Sequence, residues 1–148
     1  MTLVYAHIGT SLKERGYDVK KSLDEIESEL ENPIFAQIYR GINKSMDFII
    51  TRNWIVGTDD LLLMSANAVR ISEIVSVDLN EMDLYSFSQA TLGIHARKKH
   101  YNRIRITDKE KRIFSFCVMN ERCQKEAYDF ISEYILVLRL SQPDFQLI

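Results

Sequence analysis

Cysteine is scarce in this chain of 148 residues, which contains Cys117 and Cys123 and no others. Two cysteines among apolar neighbours do not make the disulfide framework of a small secreted protein. The first residues lack the basic start and long apolar stretch of a secretory signal, and nowhere do 18 apolar residues follow one another. We therefore expect a reduced, cytoplasmic protein without a secretory signal or a membrane-spanning helix.

Short catalytic and metal-binding motifs are missing as well. The sequence has no Gly-x-Ser-x-Gly, no Cys-x-x-Cys and no His-Glu-x-x-His, the spacings typical of a serine nucleophile or a zinc site. Its five glycines are scattered singly, so no glycine-rich loop is available to bind a phosphate. These absences favour a protein that is not an enzyme and has no cofactor or metal. A small enzyme whose site shows no local motif is the open alternative.

An excess of basic residues is also lacking, because 19 Lys and Arg stand against 21 Asp and Glu. Nucleic-acid binders usually carry a marked basic excess, so we expect no nucleic-acid partner. The charge is nevertheless uneven, since residues 95–112 hold eight basic and two acidic residues while residues 58–94 are acidic overall. The apolar fraction of 46% is sufficient for the core of one domain.

The first third of the chain has the periodicity of helices. Val19, Leu23, Ile26 and Leu30 recur every three or four residues, which predicts an amphipathic helix that docks on the rest of the chain. Asp18 is a suitable N-cap, and the helix should end before Pro33. A shorter helix over residues 3–15 should end at Gly16. The acidic residues of the longer helix are interpreted as its solvent-exposed face.

After Pro33 the pattern changes to short β-rich stretches, which predicts an antiparallel meander. The expected strands lie within residues 34–40, 48–50, 54–56, 61–64 and 75–79, with turns at residues 43–44, 52–53, 58–60 and 66–67. No helix long enough for a parallel crossover separates these stretches, so a doubly wound α/β fold is disfavoured. Trp54 should pack in the core or on a sheet face.

Residues 101–118 give the clearest hairpin. Pairing Ile106 with Phe114 and Ile104 with Phe116 puts apolar side chains on one face and leaves a five-residue turn over residues 108–112. A shift by one residue would place arginines opposite the phenylalanines, so the pattern selects the first register.

Asn120 can cap a final helix that runs to about Leu140 and carries a broad apolar face. An amphipathic helix after an antiparallel meander is expected to cover one end or face of the sheet. The apolar face consists of Cys123, Ala127, Phe130, Ile131, Tyr134, Ile135 and Leu138.

About seven antiparallel strands followed by one helix resemble the pleckstrin-homology-like (PH-like) fold, an α+β sandwich or barrel with a C-terminal capping helix. Two segments sharpen the resemblance to bacterial PH-like proteins of uncharacterised role. One reads as apolar strand, Thr, turn, apolar strand, and the other as an Ile-Ser-x-Ile step into a Val-rich strand. They are Phe48-Ile49-Ile50-Thr51-Arg52-Asn53-Trp54-Ile55-Val56 and Val69-Arg70-Ile71-Ser72-Glu73-Ile74-Val75-Ser76-Val77.

The resemblance covers residues 34–140. It divides the chain into an N-terminal helical extension at 1–33, a PH-like domain at 34–140 and a C-terminal tail at 141–148. It implies a binding module, most simply for an unidentified protein partner, although a fold does not by itself determine a function. The oligomeric state stays open.

The basic segment at residues 97–105 suggests an alternative function, the binding of an anionic ligand or an acidic lipid headgroup. Its spacing of Lys and Arg is similar to the phosphate-binding signature of lipid-recognising PH domains, which implies an anion site formed by Lys98, Lys99, Arg103 and Arg105. In that family the signature lies on the first hairpin, whereas here it lies on the penultimate strand. We therefore favour a solvated basic edge that makes weak, salt-sensitive contact with an acidic membrane surface.

Overall fold

The structure is a computed structural model that describes residues 2–31, 37–39, 48–59, 65–85, 98–118 and 120–141. The first of these segments contains the two predicted helices, α1 (Thr2–Glu14) and α2 (Val19–Leu30). Gly16 has a φ of 87° after α1, and the Asp18 carboxylate accepts a hydrogen bond from the Lys21 amide at the start of α2. Both helix boundaries therefore follow from residues that the sequence indicates.

Seven strands occur in the described residues and form two antiparallel sheets. The first sheet has the order β1 (Gln37–Tyr39), β2 (Phe48–Ile50), β3 (Trp54–Asp59) and β4 (Ser65–Arg70). A single 3-10 turn (Ile71–Glu73) leads into the second sheet, which has the order β5 (Ile74–Tyr85), β6 (Lys98–Asp108) and β7 (Ile113–Val118). The last helix, α3 (Glu121–Ser141), begins at the predicted cap, where Asn120 accepts a hydrogen bond from the Cys123 amide at 2.8 Å.

The α+β class and the antiparallel strands are confirmed, whereas closure into a seven-stranded barrel is wrong for the described residues. Among them β4 pairs only with β3, and β5 pairs only with β6. The chain turns sharply at the intervening 3-10 turn, so the hydrogen bonds of the first sheet do not continue into the second. The result is two sheets around a shared core.

The position of the fourth strand is a second correction. The sequence indicates a turn at Ala66 and Asn67, but both residues lie in β4, and the expected strand over residues 61–64 lies outside the described residues. Small side chains are needed here because Ala66 and Ala68 are buried beneath α1. Asn67 accepts a hydrogen bond from the Ser11 hydroxyl of α1 at 2.7 Å. The helix thus explains a strand that local propensity does not predict.

The β6–β7 hairpin has the predicted register, with Ile104 opposite Phe116 and Ile106 opposite Phe114. These four side chains belong to the main core, which lies between the sheets and under α3. Ala127, Ile131 and Ile135 of α3 complete that core, and Phe130 and Tyr134 pack against it.

Gly57 lies in β3 where two aromatic rings meet the strand. A Cβ atom at this position would be 2.8 Å from Cδ1 of Phe116 and 3.1 Å from Cδ1 of Phe48. The two ring centroids are 5.4 Å apart. Because the rings fill the space that a side chain would need, only glycine fits at this point of β3. The strand extends to Asp59, so the first two residues of the turn predicted at 58–60 belong to β3 instead.

A second core lies on the opposite face of the first sheet. Trp54 and Val56 of β3 pack there with Ile8 and Leu12 of α1 and with Ile26 of α2. The first sheet is therefore covered on both faces, by the N-terminal helices on one side and by the main core on the other. In this arrangement α2 packs on α1 and the first sheet of its own chain.

The fully buried Phe116 should carry much of the stability of the main core. We expect Phe116→Ala to lower the free energy of unfolding by ~3–5 kcal/mol, because the truncation leaves a cavity between the sheets. Ile113, which is 61% exposed on the same strand, is the matched control, and Ile113→Ala should change the stability by less than ~0.5 kcal/mol. Urea denaturation checks both, and a loss below ~1 kcal/mol for Phe116→Ala would contradict the packing.

Candidate functional site

The predicted anion-binding residues all fall on β6. Lys98 and Lys99 lie at its start, where the backbone pairs them with Tyr85 and Leu84 of β5. Their side chains lie outside the described part of the chain, as does the whole of Arg97. The structure thus places the backbone of these lysines in β6.

Arg103 and Arg105 occupy alternate positions of β6, as predicted. Arg103 is only 8% exposed, and its backbone carbonyl accepts a hydrogen bond from Nε2 of Gln124 in α3 at 2.9 Å. Arg105 is half-buried and lies opposite the acidic residue Asp78 of β5. Arg103 therefore has little surface open to a phosphate, and the role of both arginines in anion binding stays a prediction.

The strand β5, which pairs with the basic strand β6, is acidic. The segment from Ile71 to Tyr85 contains Glu73, Asp78, Glu81 and Asp83 and no basic residue. In the described residues β5 pairs with β6 on one side and with no strand on the other. Ser76 and Asp78 are exposed, and Leu79 is 47% exposed. The second sheet thus ends in a long acidic edge that carries an exposed apolar side chain.

A polar site joins α2 to the first sheet at Trp54. The Glu25 carboxylate accepts a hydrogen bond from the Trp54 indole Nε1 at 3.2 Å and lies 3.3 Å from the Arg70 guanidinium. That guanidinium stacks 5.3 Å above the centre of the Trp54 ring, while Tyr17 meets the ring edge-on at 5.6 Å. Trp54 therefore has both a polar partner for its N–H group and apolar contact over its ring.

The β2–β3 turn provides the second part of this site. The Glu29 carboxylate accepts three hydrogen bonds from the turn, one from the Thr51 hydroxyl at 2.7 Å and two from Asn53, through its amide N–H at 2.7 Å and its side-chain Nδ2 at 2.8 Å. Three donors that converge on one carboxylate form a specific binding site for an acid. Glu25 and Glu29, four residues apart, lie on one side of α2.

The turn itself is fixed by hydrogen bonds that do not involve α2. The Thr51 amide donates to the Trp54 carbonyl at 2.8 Å, and the Trp54 amide donates to the Thr51 hydroxyl at 3.1 Å. The Asn53 carbonyl accepts from the Ile71 amide at 2.8 Å. The donors that face Glu29 are thus held in place by the turn and by the neighbouring 3-10 segment.

The helix α3 fixes the opposite side of the same turn. The Tyr134 hydroxyl donates to the Arg52 carbonyl at 2.7 Å, and burial raises the pKa of this phenol, which keeps the donor protonated. The Arg52 carbonyl and the Asn53 N–H belong to one peptide group. That group is therefore bonded to α3 on one side and to α2 on the other.

These contacts correct the interpretation of the acidic helix. The sequence pattern predicts that its carboxylates form a solvent-exposed face, which fits Glu27 but not Glu25 and Glu29. The sequence alone gives no signal that separates Glu29 from Glu27. The Thr-Arg-Asn turn, with its concentration of hydrogen-bond donors, is the one feature that could have suggested a carboxylate partner.

A small polar cavity of about 170 Å³ lies where α1, the 3-10 turn and the β6–β7 turn meet. Arg15 donates from Nη2 to the Ala68 carbonyl and stacks 4.8 Å from the centre of the Phe114 ring. Asp108 is 1% exposed and bonds the Arg112 guanidinium at 2.7 Å. Burial lowers the pKa of Arg15, although it stays a cation.

Tyr17 borders the same cavity with a buried hydroxyl that lies beside the Glu73 carboxylate without forming a hydrogen bond of standard geometry. Burial is the main cause that raises the pKa of Tyr17, and the neighbouring carboxylate raises it further. The lining holds three cationic and three acidic side chains, which balance one another. They are Arg15, Lys109, Arg112, Glu73, Asp108 and Glu110.

Within the described residues, no group of three His, Cys, Asp or Glu side chains is arranged to hold a metal ion. The helices in that part of the chain are all too short or too polar to cross a membrane. Comparison with known proteins finds no matching family, no matching curated protein and no matching solved structure.

The hydrogen bonds of Glu29 allow a test of how α2 is attached to the β2–β3 turn. Glu29→Ala should lower the free energy of unfolding by about 1–2 kcal/mol, because the half-buried carboxylate accepts three hydrogen bonds that the turn cannot replace within the protein. Glu27→Ala, an exposed change on the same helix, should alter the stability by less than ~0.5 kcal/mol. Equal effects of the two substitutions in urea denaturation would contradict the stabilising role of the Glu29 hydrogen bonds.

Proposed function

We propose that the chain is a cytoplasmic, non-enzymatic interaction module of PH-like fold that binds an extended peptide along the outer edge of β5. The order of elements supports the PH-like assignment, because four strands, a sharp turn and three strands are followed by a helix that covers their common core. Cys117, which is buried, and Cys123 are not joined by a disulfide, and this supports a reducing location.

The edge of β5 is the observation that carries the proposed function. This strand is the longest in the described residues, and its backbone groups on the side away from β6 have no strand partner there. An unpaired edge accepts a further strand through main-chain hydrogen bonds, and the alternate side chains then select the partner. A β-bulge at Val75 interrupts the start of the strand, so the regular edge extends from Ser76.

The charge of β5 defines the class of peptide. Asp78, Glu81 and Asp83 give the edge a negative charge that a second copy of the same strand would repel. A basic peptide with alternating apolar residues would instead oppose Asp78 with a cation on one face of the sheet and cover the exposed Leu79 with an apolar side chain on the other. The basic segment of β6 is the weaker candidate surface, because Arg103 is buried and Arg105 already lies opposite Asp78.

Two synthetic ten-residue peptides test this function, one alternating Val with Lys and one alternating Val with Glu. The Lys peptide should bind the full chain and slow amide hydrogen exchange in β5, because a new strand protects the free edge. Asp78→Lys should weaken this binding at least tenfold. The matched control is Asp129→Lys, the same charge change at an exposed position of α3, which should have little effect.

The proposal fails if both peptides bind equally, or if the Lys peptide binds without protecting β5. Protection of β6 and loss of binding on Arg105→Ala, with β5 exchange unchanged, would assign the surface to the basic segment instead.

A further inference from the structure

The polar cavity between α1, the 3-10 turn and the β6–β7 turn contains charged groups that the protein leaves unpaired. Two of its three acids belong to Arg112, whose guanidinium lies 2.7 Å from the Asp108 carboxylate and 3.3 Å from that of Glu110. Arg15 and Glu73 also line the cavity, and they form no ion pair with each other or with any other residue that the structure describes. The cavity thus holds one cation and one carboxylate without an ionic partner.

Two buried polar atoms of the lining also lack partners. Nη1 of Arg15 and the hydroxyl of Tyr17 form no hydrogen bond within the described part of the chain. A buried donor that stays unbonded costs free energy, so such groups normally bind water or a ligand. The remaining cation, Lys109, is exposed and is satisfied by solvent. The cavity therefore offers a guanidinium and a phenol to an acceptor, and the Glu73 carboxylate to a donor.

The walls of the cavity are fixed by hydrogen bonds that leave these groups free. Arg15 donates from Nη2 to the Ala68 carbonyl and from Nε to the Ser11 carbonyl at 3.3 Å, so its guanidinium is held at two of its three nitrogens. The Lys109 amide donates to the Glu73 carbonyl at 2.9 Å and joins the 3-10 turn to the β6–β7 turn. A site held in this way loses little conformational freedom when it binds a ligand.

The size and the charge of the cavity restrict the class of ligand. Its volume of about 170 Å³ is close to that of a cavity that holds a molecule of about six non-hydrogen atoms, which excludes a nucleotide or a peptide. A simple anion would leave Glu73 unpaired, and a simple cation would leave Arg15 unpaired. A small molecule that carries both a carboxylate and an ammonium group pairs with both residues and matches the balanced charge of the lining.

We propose that this cavity binds a small zwitterion, an α-amino acid of about the size of alanine or serine. Its carboxylate accepts hydrogen bonds from Arg15 and from the Tyr17 hydroxyl, and its ammonium group donates to the Glu73 carboxylate. The site is separate from the edge of β5, whose regular part starts at Ser76, so this is a second ligand beside the proposed peptide.

The test is a titration of the isotope-labelled full chain with L-serine, followed by the chemical shifts of its amides at constant pH and ionic strength. Saturable shifts should occur at the amides of Glu73 and Lys109, with a dissociation constant of ~1 mM or lower. Acetate and ethylamine each carry only one of the two charges, so each should bind at least tenfold more weakly. L-Phenylalanine is too large for the cavity and should cause no saturable shift at these amides.

Two conservative substitutions connect binding to the lining. Glu73→Gln removes the charge that faces the ammonium group and should weaken the binding of L-serine at least tenfold. Glu133→Gln, the same change at an exposed position of α3, is the matched control and should have little effect. Tyr17→Phe removes only the hydroxyl and should weaken binding about fivefold.

Absence of saturable shifts with L-serine far above that concentration would overturn the proposal, because water alone would then fill the cavity. Equal affinity for L-serine and acetate, or equal effects of Glu73→Gln and Glu133→Gln in folded chains, would also overturn it. Asp78→Lys, which tests the β5 edge, should leave the binding of L-serine unchanged. Failure of this proposal is therefore distinguishable from failure of the proposed peptide binding.

Discussion

The peptide group between Arg52 and Asn53 lies where the N-terminal helix α2, the first sheet and the C-terminal helix α3 meet. Its carbonyl accepts the Tyr134 hydroxyl of α3, and its N–H donates to the Glu29 carboxylate of α2. A peptide group polarised from both ends makes stronger hydrogen bonds than either partner would induce alone. The N-terminal helices and the C-terminal helix do not share a core, yet they act on the same turn of the first sheet. Since that turn also fixes the start of β3 and hence Trp54, its geometry positions side chains of both cores.

Each sheet has one feature that its core does not explain. The first sheet carries more hydrogen-bond donors around the β2–β3 turn than apolar packing alone requires. The carboxylates of α2 accept hydrogen bonds from these donors. The second sheet ends in β5, whose Asp78 lies opposite Arg105 of β6. Opposite charges at facing positions of neighbouring strands stabilise their pairing.

The sequence predicts those elements whose determinants are local or repeat with a clear period. The β6–β7 register follows from Ile104 and Ile106 alternating opposite two phenylalanines, and the α2 and α3 boundaries follow from Asp18 and Asn120. It does not predict β4, because Ala66 and Ala68 form a strand only when α1 covers them. Nor does it predict the role of Glu29, whose partners lie at least 22 residues away and whose neighbours on the helix have the same chemistry. The burial of Arg103 also depends on residues that are distant in the sequence, so it cannot be deduced from its strand alone.

A double-mutant cycle between Glu29→Gln and Tyr134→Phe tests most directly whether the shared peptide group couples α2 to α3. Tyr134→Phe removes the hydroxyl that donates to the carbonyl of that group, and Glu29→Gln replaces the charged acceptor of its N–H with a weaker, neutral one. Both substitutions change the side-chain volume little, and the free energy of unfolding is measured for both single variants and for the double variant. The structure predicts that the effects are not additive, with a coupling energy of about 0.5 kcal/mol or more, because loss of one hydrogen bond weakens the other. Additivity within ~0.3 kcal/mol would contradict this account and would mean that the two helices are anchored to the turn independently.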